Sequence, residues 1–85
     1  MAQAYTVYSK QTPDETRRDI REQFERWEKH LGGKPIQWRE IREKSDAAAI
    51  AYTLPGQAEV TLRHDRQYSY RSNLRVLFLA IEALR

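Results

Sequence analysis

The sequence predicts an α+β fold: a two-layer sandwich of a mostly antiparallel sheet with two helices on one face, in the order β-α-β-β-β-α. Two patterns lead to this prediction. Residues 69–85 place apolar side chains at the three- and four-residue steps of a helix, and residues 47–64 alternate like strands on both sides of a turn. The chain has 85 residues, with no repeat and no internal linker, so we expect a single small domain over residues 1–85.

Short local signals predict the first two elements. Residues 5–8 (YTVY) are β-branched and aromatic, which is typical of a strand. Residues 12–15 (TPDE) have the pattern of a capping box with proline at the first helical position, so a helix is expected from there to about Leu31. The glycines at 32–33 permit the left-handed conformation that ends a helix. The dense charge of both signs on this helix indicates a solvated amphipathic face.

Three more strands are predicted, at residues 36–42, 47–54 and 58–64. The first of them is irregular in pattern. Trp38 falls on the apolar alternation, but Ile41 falls on the opposite parity. This predicts either a bulge after Trp38 or the end of strand pairing there.

The apolar and polar side chains on both sides of residues 55–57 (PGQ) predict how the two strands of this hairpin pair. A two-residue loop would set apolar side chains opposite polar ones on the same face. A three-residue loop instead pairs Tyr52 with Val60 and Ile50 with Leu62. A sheet with one buried face selects the register that keeps its apolar side chains together, so we expect the three-residue loop.

The last helix is predicted to begin after the N-cap Ser69 and to be apolar around most of its circumference. Phe78 lies in the middle of its narrow charged strip, so this ring needs cover, either from residues 36–44 of the same chain or from a partner. We expect a protein interface here, and a symmetric homodimer through this helix is its simplest form. The candidate interface residues are Phe78, Arg75, Glu82, Arg85 and Trp38.

Both ends of the chain resemble a known region of longer proteins. Residues 4–27 (AYTVYSKQTPDETRRDIREQFERW) and 73–85 (NLRVLFLAIEALR) are similar to the region that precedes the J domain in some bacterial and phage J-domain-containing proteins. In those proteins the last helix continues further, which fits the absence of a helix stop at Arg85. The His-Pro-Asp tripeptide of the J domain has no counterpart, because His64-Asp65 lacks the proline. The resemblance therefore implies an accessory role, associated with phage or mobile elements, without chaperone stimulation.

The segment from Arg63 to Arg75 is the best candidate for nucleic-acid binding. Arginines alternate there with aromatic side chains, and single-stranded nucleic acid needs cations for its phosphates and rings for its bases. The alternative is that these residues are core and ordinary solvated surface. The candidate residues for single-stranded nucleic acid or RNA are Arg63, Arg66, Tyr68, Arg71 and Arg75.

Catalysis has less support in the sequence. His30 and His64 are the only histidines, and no further ligand stands at metal-binding spacing, so neither a catalytic residue nor a metal or other cofactor is expected. Glu59 would need a positioned partner to act as a general base. The strand–helix order also resembles that of RelE-like ribosome-dependent RNases, but no motif residue matches, so a small RNase of this kind is a remote alternative.

Composition sets the remaining expectations. The chain has no cysteine, a net charge of +3 and a pI of about 9.4. It has no apolar run of membrane-spanning length and no signal-peptide pattern at its start. We therefore expect a cytoplasmic protein without membrane contact. The predicted function is that of a non-enzymatic accessory domain that binds a protein partner or a second copy of itself, with nucleic-acid binding as the alternative.

Overall fold

The computed structural model describes residues 9–85. Two helices and three strands follow one another along the chain: α1 (Pro13–His30), β1 (Gln37–Arg42), β2 (Ala48–Thr53), β3 (Val60–His64) and α2 (Tyr70–Leu84). The α+β class and the order of these elements confirm the prediction. The strand predicted at residues 5–8 lies outside the described residues.

The ends of α1 are fixed by the residues that the sequence singled out. The Thr12 hydroxyl accepts a hydrogen bond from the Glu15 amide at 3.2 Å, and the Glu15 carboxylate accepts one from the Thr12 amide at 3.0 Å. This reciprocal capping box satisfies amides that have no partner within the helix. Leu31 is the C-cap, and Gly32 and Gly33 follow with φ of 76° and 83°, a region that favours glycine.

The three strands form an antiparallel sheet in the order β1-β2-β3. Tyr52 pairs with Val60 and Ile50 with Leu62, which confirms the predicted register. Gly56 in the hairpin loop has a φ of 73°, so the turn uses the freedom of glycine. The register keeps the apolar side chains of β2 and β3 on the same face of the sheet.

The predicted irregularity of β1 is wrong. The strand pairs with β2 without interruption from Gln37 to Arg42, so there is no bulge and pairing does not stop after Trp38. Ile41 lies on the opposite face of the sheet from Trp38. Glu40 takes a position on the same face as Trp38 because Arg17 of α1 binds its carboxylate, with Nε 2.6 Å from Oε1. Because this ion pair puts a charged residue at a position where an apolar one is expected, the sequence of β1 lacks the apolar–polar alternation of a regular strand.

Residues from both helices and from the sheet form the core. Ile20 and Phe24 of α1, Ile50 and Tyr52 of β2, and several α2 residues form one buried cluster. The Phe24 ring packs 5.3 Å from the Trp38 ring and 5.7 Å from the Tyr52 ring, measured between centroids. The α2 members of the cluster are Tyr70, Leu74, Leu77, Phe78 and Ile81.

Candidate functional site

The structure places Phe78, the central residue of the predicted interface, inside the domain. Its side chain is 7% exposed, and the Arg75 guanidinium lies 4.0 Å from its ring centroid. Arg75 also forms an ion pair with Asp19 of α1 at 2.8 Å, and Arg85 donates to the side chain of Gln23. These contacts flank Phe78, so this side of α2 faces α1. Phe78 is thus buried within its own chain, on the side of α2 that faces α1.

The other predicted interface residues do not gather around Phe78 as one exposed surface. Trp38 is half-buried and packs on Phe24. Glu82 is exposed near the end of α2. Of the charged residues of α2 and its C-cap, Arg75 and Arg85 are the ones seen to contact α1.

The outward side of α2 is a different apolar surface. Val76 and Ala80 are half-buried, Ala83 is exposed, and Leu79 is 38% exposed. These residues follow one another at steps of three and four, so they line one side of the helix. We call Val76, Leu79, Ala80 and Ala83 the outer α2 stripe. No charged side chain interrupts this stripe over its two turns.

Two of the predicted nucleic-acid-binding arginines are already paired with carboxylates. Arg63 donates to Glu43 and to Asp65, each at 2.9 Å, and Arg75 binds Asp19. The hydrogen bonds from Arg63 hold the pKa of both Glu43 and Asp65 below their ordinary values. The positive charge of Arg63 is therefore neutralised by carboxylates beside it. The positive charge of Arg75 is neutralised by the ion pair between the two helices.

The other three predicted residues are exposed in the loop after β3 and in the first turn of α2. Arg66 and Arg71 take part in none of the ion pairs among residues 9–85. Tyr68, between them in the chain, is 84% exposed. We call Arg66, Tyr68 and Arg71 the exposed Arg–Tyr segment. Free guanidinium groups beside a free ring can bind phosphates and stack on a planar group.

Sequence reasoning missed Asn73, which is fully buried in α2. Its side-chain amide donates to the Asp46 carbonyl at 2.8 Å, and its carbonyl oxygen accepts from the Gln67 amide at 2.9 Å. Asn73 thereby joins the turn after β1 to the loop before α2. The available signal was an asparagine among the apolar positions of the helix, where a polar group needs buried partners.

The potential catalytic groups are engaged in structural contacts. Glu59 lies near Arg39, with 3.5 Å between the carboxylate and the guanidinium, beside an open cavity of about 120 Å³. His64 Nε2 is 3.4 Å from Nε2 of Gln67. Within residues 9–85, no group of three histidine, aspartate or glutamate side chains is placed to hold a metal ion.

The fold is that of a small α+β domain with a three-stranded antiparallel sheet. No protein-family model, no curated protein and no solved structure matches the chain. In the part of the chain that the structure describes, neither helix has both the length and the apolar character that crossing a membrane requires. The two exposed surfaces described above are the observations that bear on function.

Proposed function

We propose that this chain is a non-enzymatic accessory domain that acts by protein–protein contact through α2, and that its partner is a second copy of itself. The observation behind this proposal is the outer α2 stripe, which is apolar, is partly exposed and contains no charged side chain over two helical turns. An exposed apolar surface of this kind favours association. The resemblance to an accessory region of longer proteins supports the same role.

Side-chain size along the stripe favours a second copy as the partner. In an antiparallel helix pair with two-fold symmetry, the two residue numbers of every facing pair add up to the same value. If the two-fold axis passes through the middle of the stripe, Leu79 faces Ala80 of the second copy and Val76 faces Ala83 of the second copy. Each large side chain then meets a small one, as close helix packing requires.

Such a dimer would be weak. A contact confined to one stripe per copy is at or below the low end of the roughly 1,200–2,000 Å² that stable interfaces bury. We therefore expect a mixture of monomer and dimer that shifts with protein concentration.

Sedimentation velocity over a wide range of concentration tests this proposal. The wild-type chain should show a rising fraction of dimer, and Leu79→Glu should remain monomeric because its carboxylate would be buried against Ala80 of the second copy without a partner. Gln37→Glu adds the same charge to an exposed position on the sheet face away from the core and is the matched control. A wild-type chain that is monomeric at every concentration, or a Leu79→Glu chain that still dimerises, would contradict the proposal. Circular dichroism checks that both variants are folded.

A second candidate function is binding to nucleic acid. The exposure of Tyr68 between Arg66 and Arg71 favours it, because the ring is open to a ligand and the two arginines take part in no ion pair among residues 9–85. The net charge of +3 is positive, which favours binding to a polyanionic partner.

We also infer that both helices form one layer over a single face of the sheet. In support, Ile20 of α1 and Leu74 of α2 share one buried cluster with Ile50, and α2 contacts β2, β3 and α1. For the location of the protein we propose the cytoplasm, and the support is the absence of cysteine from all 85 residues.

A further inference from the structure

The loop and first helical turn that carry the exposed Arg–Tyr segment are held to the turn between β1 and β2. Asn73, fully buried, donates to the carbonyl of Asp46 at 2.8 Å and accepts from the amide of Gln67 at 2.9 Å. The turn after β1 and the loop before α2 are therefore held at the same end of the domain. Charged residues from both of them can meet one ligand.

Arg42, the last residue of β1, is brought to this end by an aromatic contact. Its guanidinium carbon lies 3.6 Å from the ring centroid of Tyr70, the first residue of α2, and Arg42 itself is exposed. A guanidinium that lies flat on a ring keeps N–H donors at its edges for another acceptor. Arg42 is thus held against the first residue of α2, which directly precedes Arg71 in the chain.

Two of the carboxylates at this end are already occupied. Glu43 and Asp65 both bind Arg63. Arg42, like the arginines of the exposed Arg–Tyr segment, takes part in none of the ion pairs among residues 9–85. The neighbouring Lys44 and Asp46 offset each other in formal charge. A positive excess therefore remains at this end, where the ring of Tyr68 is exposed.

We propose that Arg42 and the exposed Arg–Tyr segment together form one binding surface for single-stranded nucleic acid. The proposal rests on the second candidate function and adds its location and its class of ligand. Phosphates bind Arg42, Arg66 and Arg71, and a base stacks on Tyr68. A duplex has its bases stacked inside, so the exposed ring selects the single strand.

Fluorescence anisotropy with a short labelled oligouridylate and the matching oligothymidylate tests this surface in the full chain. Both strands should bind at low salt and weaken as salt rises, and a duplex competitor should bind less tightly. Tyr68→Ala should weaken single-strand binding about tenfold, whereas Tyr68→Phe should retain it because the ring remains. Arg42→Gln should weaken binding severalfold and lower the slope of affinity against salt by about one.

Arg39→Gln is the matched control for Arg42→Gln. Arg39 is an exposed arginine on the same strand, but it lies on the opposite face of the sheet. Its loss should leave affinity and salt slope nearly unchanged.

Two results would separate the failure of the surface from the failure of the function. If the wild-type chain binds neither strand at low salt, nucleic-acid binding itself is overturned. If it binds but Arg42→Gln behaves like Arg39→Gln, or Tyr68→Ala binds like the wild type, the function stands and this surface is overturned. Binding of a duplex as tight as that of the single strand would also contradict the stacking role of Tyr68.

Discussion

Asn73 shows how much structure one polar side chain can organise. It is fully buried in an otherwise apolar part of α2, and it forms hydrogen bonds with groups in two separate loops. A buried amide without partners would cost free energy, whereas here its donor and acceptor atoms are satisfied. Those bonds also satisfy a carbonyl of one loop and an amide of the other, so the residue fixes both loops against the helix.

Asn73→Ala should destabilise the domain by about 2–3 kcal/mol, because it leaves the Asp46 carbonyl and the buried Gln67 amide without this partner. Urea unfolding, monitored by tryptophan fluorescence, measures this change in the free energy of unfolding. Gln57→Ala removes an amide from an exposed position and should cost less than about 0.5 kcal/mol. Equal effects of the two substitutions would show that the loops do not depend on Asn73.

Among the elements, α1 is the one whose beginning is most clearly set by the sequence. Thr12 and Glu15 bind each other's amides, and the pKa of Glu15 is held below its ordinary value, first by the hydrogen bond from the Thr12 backbone. The negative charge of Glu15 also lies in the first turn, where the helix dipole favours it.

Thr12→Ala should lower the free energy of unfolding by about 1 kcal/mol, the usual effect of losing an N-cap side chain. Thr12→Ser keeps the hydroxyl and should stay close to the wild type. Thermal unfolding followed by circular dichroism compares the three chains. If Thr12→Ser is as unstable as Thr12→Ala, the effect comes from packing of the methyl group and not from the cap.

These element ends could be predicted because their signals are local. The capping box, the glycines after α1 and the alternation on both sides of the hairpin each depend on residues close in the chain. Glu40 shows where this approach fails. Its place on the side of β1 that faces α1 depends on Arg17, which is distant in sequence, so the sequence predicts an irregular strand where the structure has a regular one.

The candidate surfaces were only partly predictable for the same reason. The exposed Arg–Tyr segment was visible as a run of residue types, but the pairing of Arg63 with Glu43 requires the folded sheet. Phe78 was placed correctly on the charged side of α2, but its burial on the side that faces α1 follows from how the helices pack. Arg42 carried no sequence signal at all, because its contact with Tyr70 joins distant parts of the chain.

At the scale of the whole molecule, stability depends on carboxylates from both halves of the chain. The pKa values of Glu15, Glu43 and Asp65 all lie below the ordinary 4.5 for glutamate and 3.8 for aspartate. A carboxyl whose folded pKa is lowered stabilises the fold above its unfolded pKa, and this contribution is lost as pH falls through the folded pKa. The three groups are exposed, so each effect is modest.

We expect the unfolding midpoint to change little between neutral pH and about pH 5 and to fall below that. Arg63→Gln should be less stable than the wild type at neutral pH because it removes the bonds to Glu43 and Asp65. The difference should shrink as these carboxyls become protonated in both chains. Denaturant unfolding over a pH series measures it, and a difference that is constant with pH would contradict the role of the two carboxylates.

The pairing of the sheet has a consequence for behaviour in concentrated solution. Among residues 9–85, β1 and β3 each pair only with β2, so within this part of the chain each strand has one edge of unpaired backbone amides and carbonyls. Open edges invite pairing with other molecules and lead to aggregation. Here β1 carries Arg39, Glu40 and Arg42, and β3 carries Arg63. A neighbouring molecule that added a strand would have to desolvate these charged side chains, so each edge carries its own protection against fibre growth.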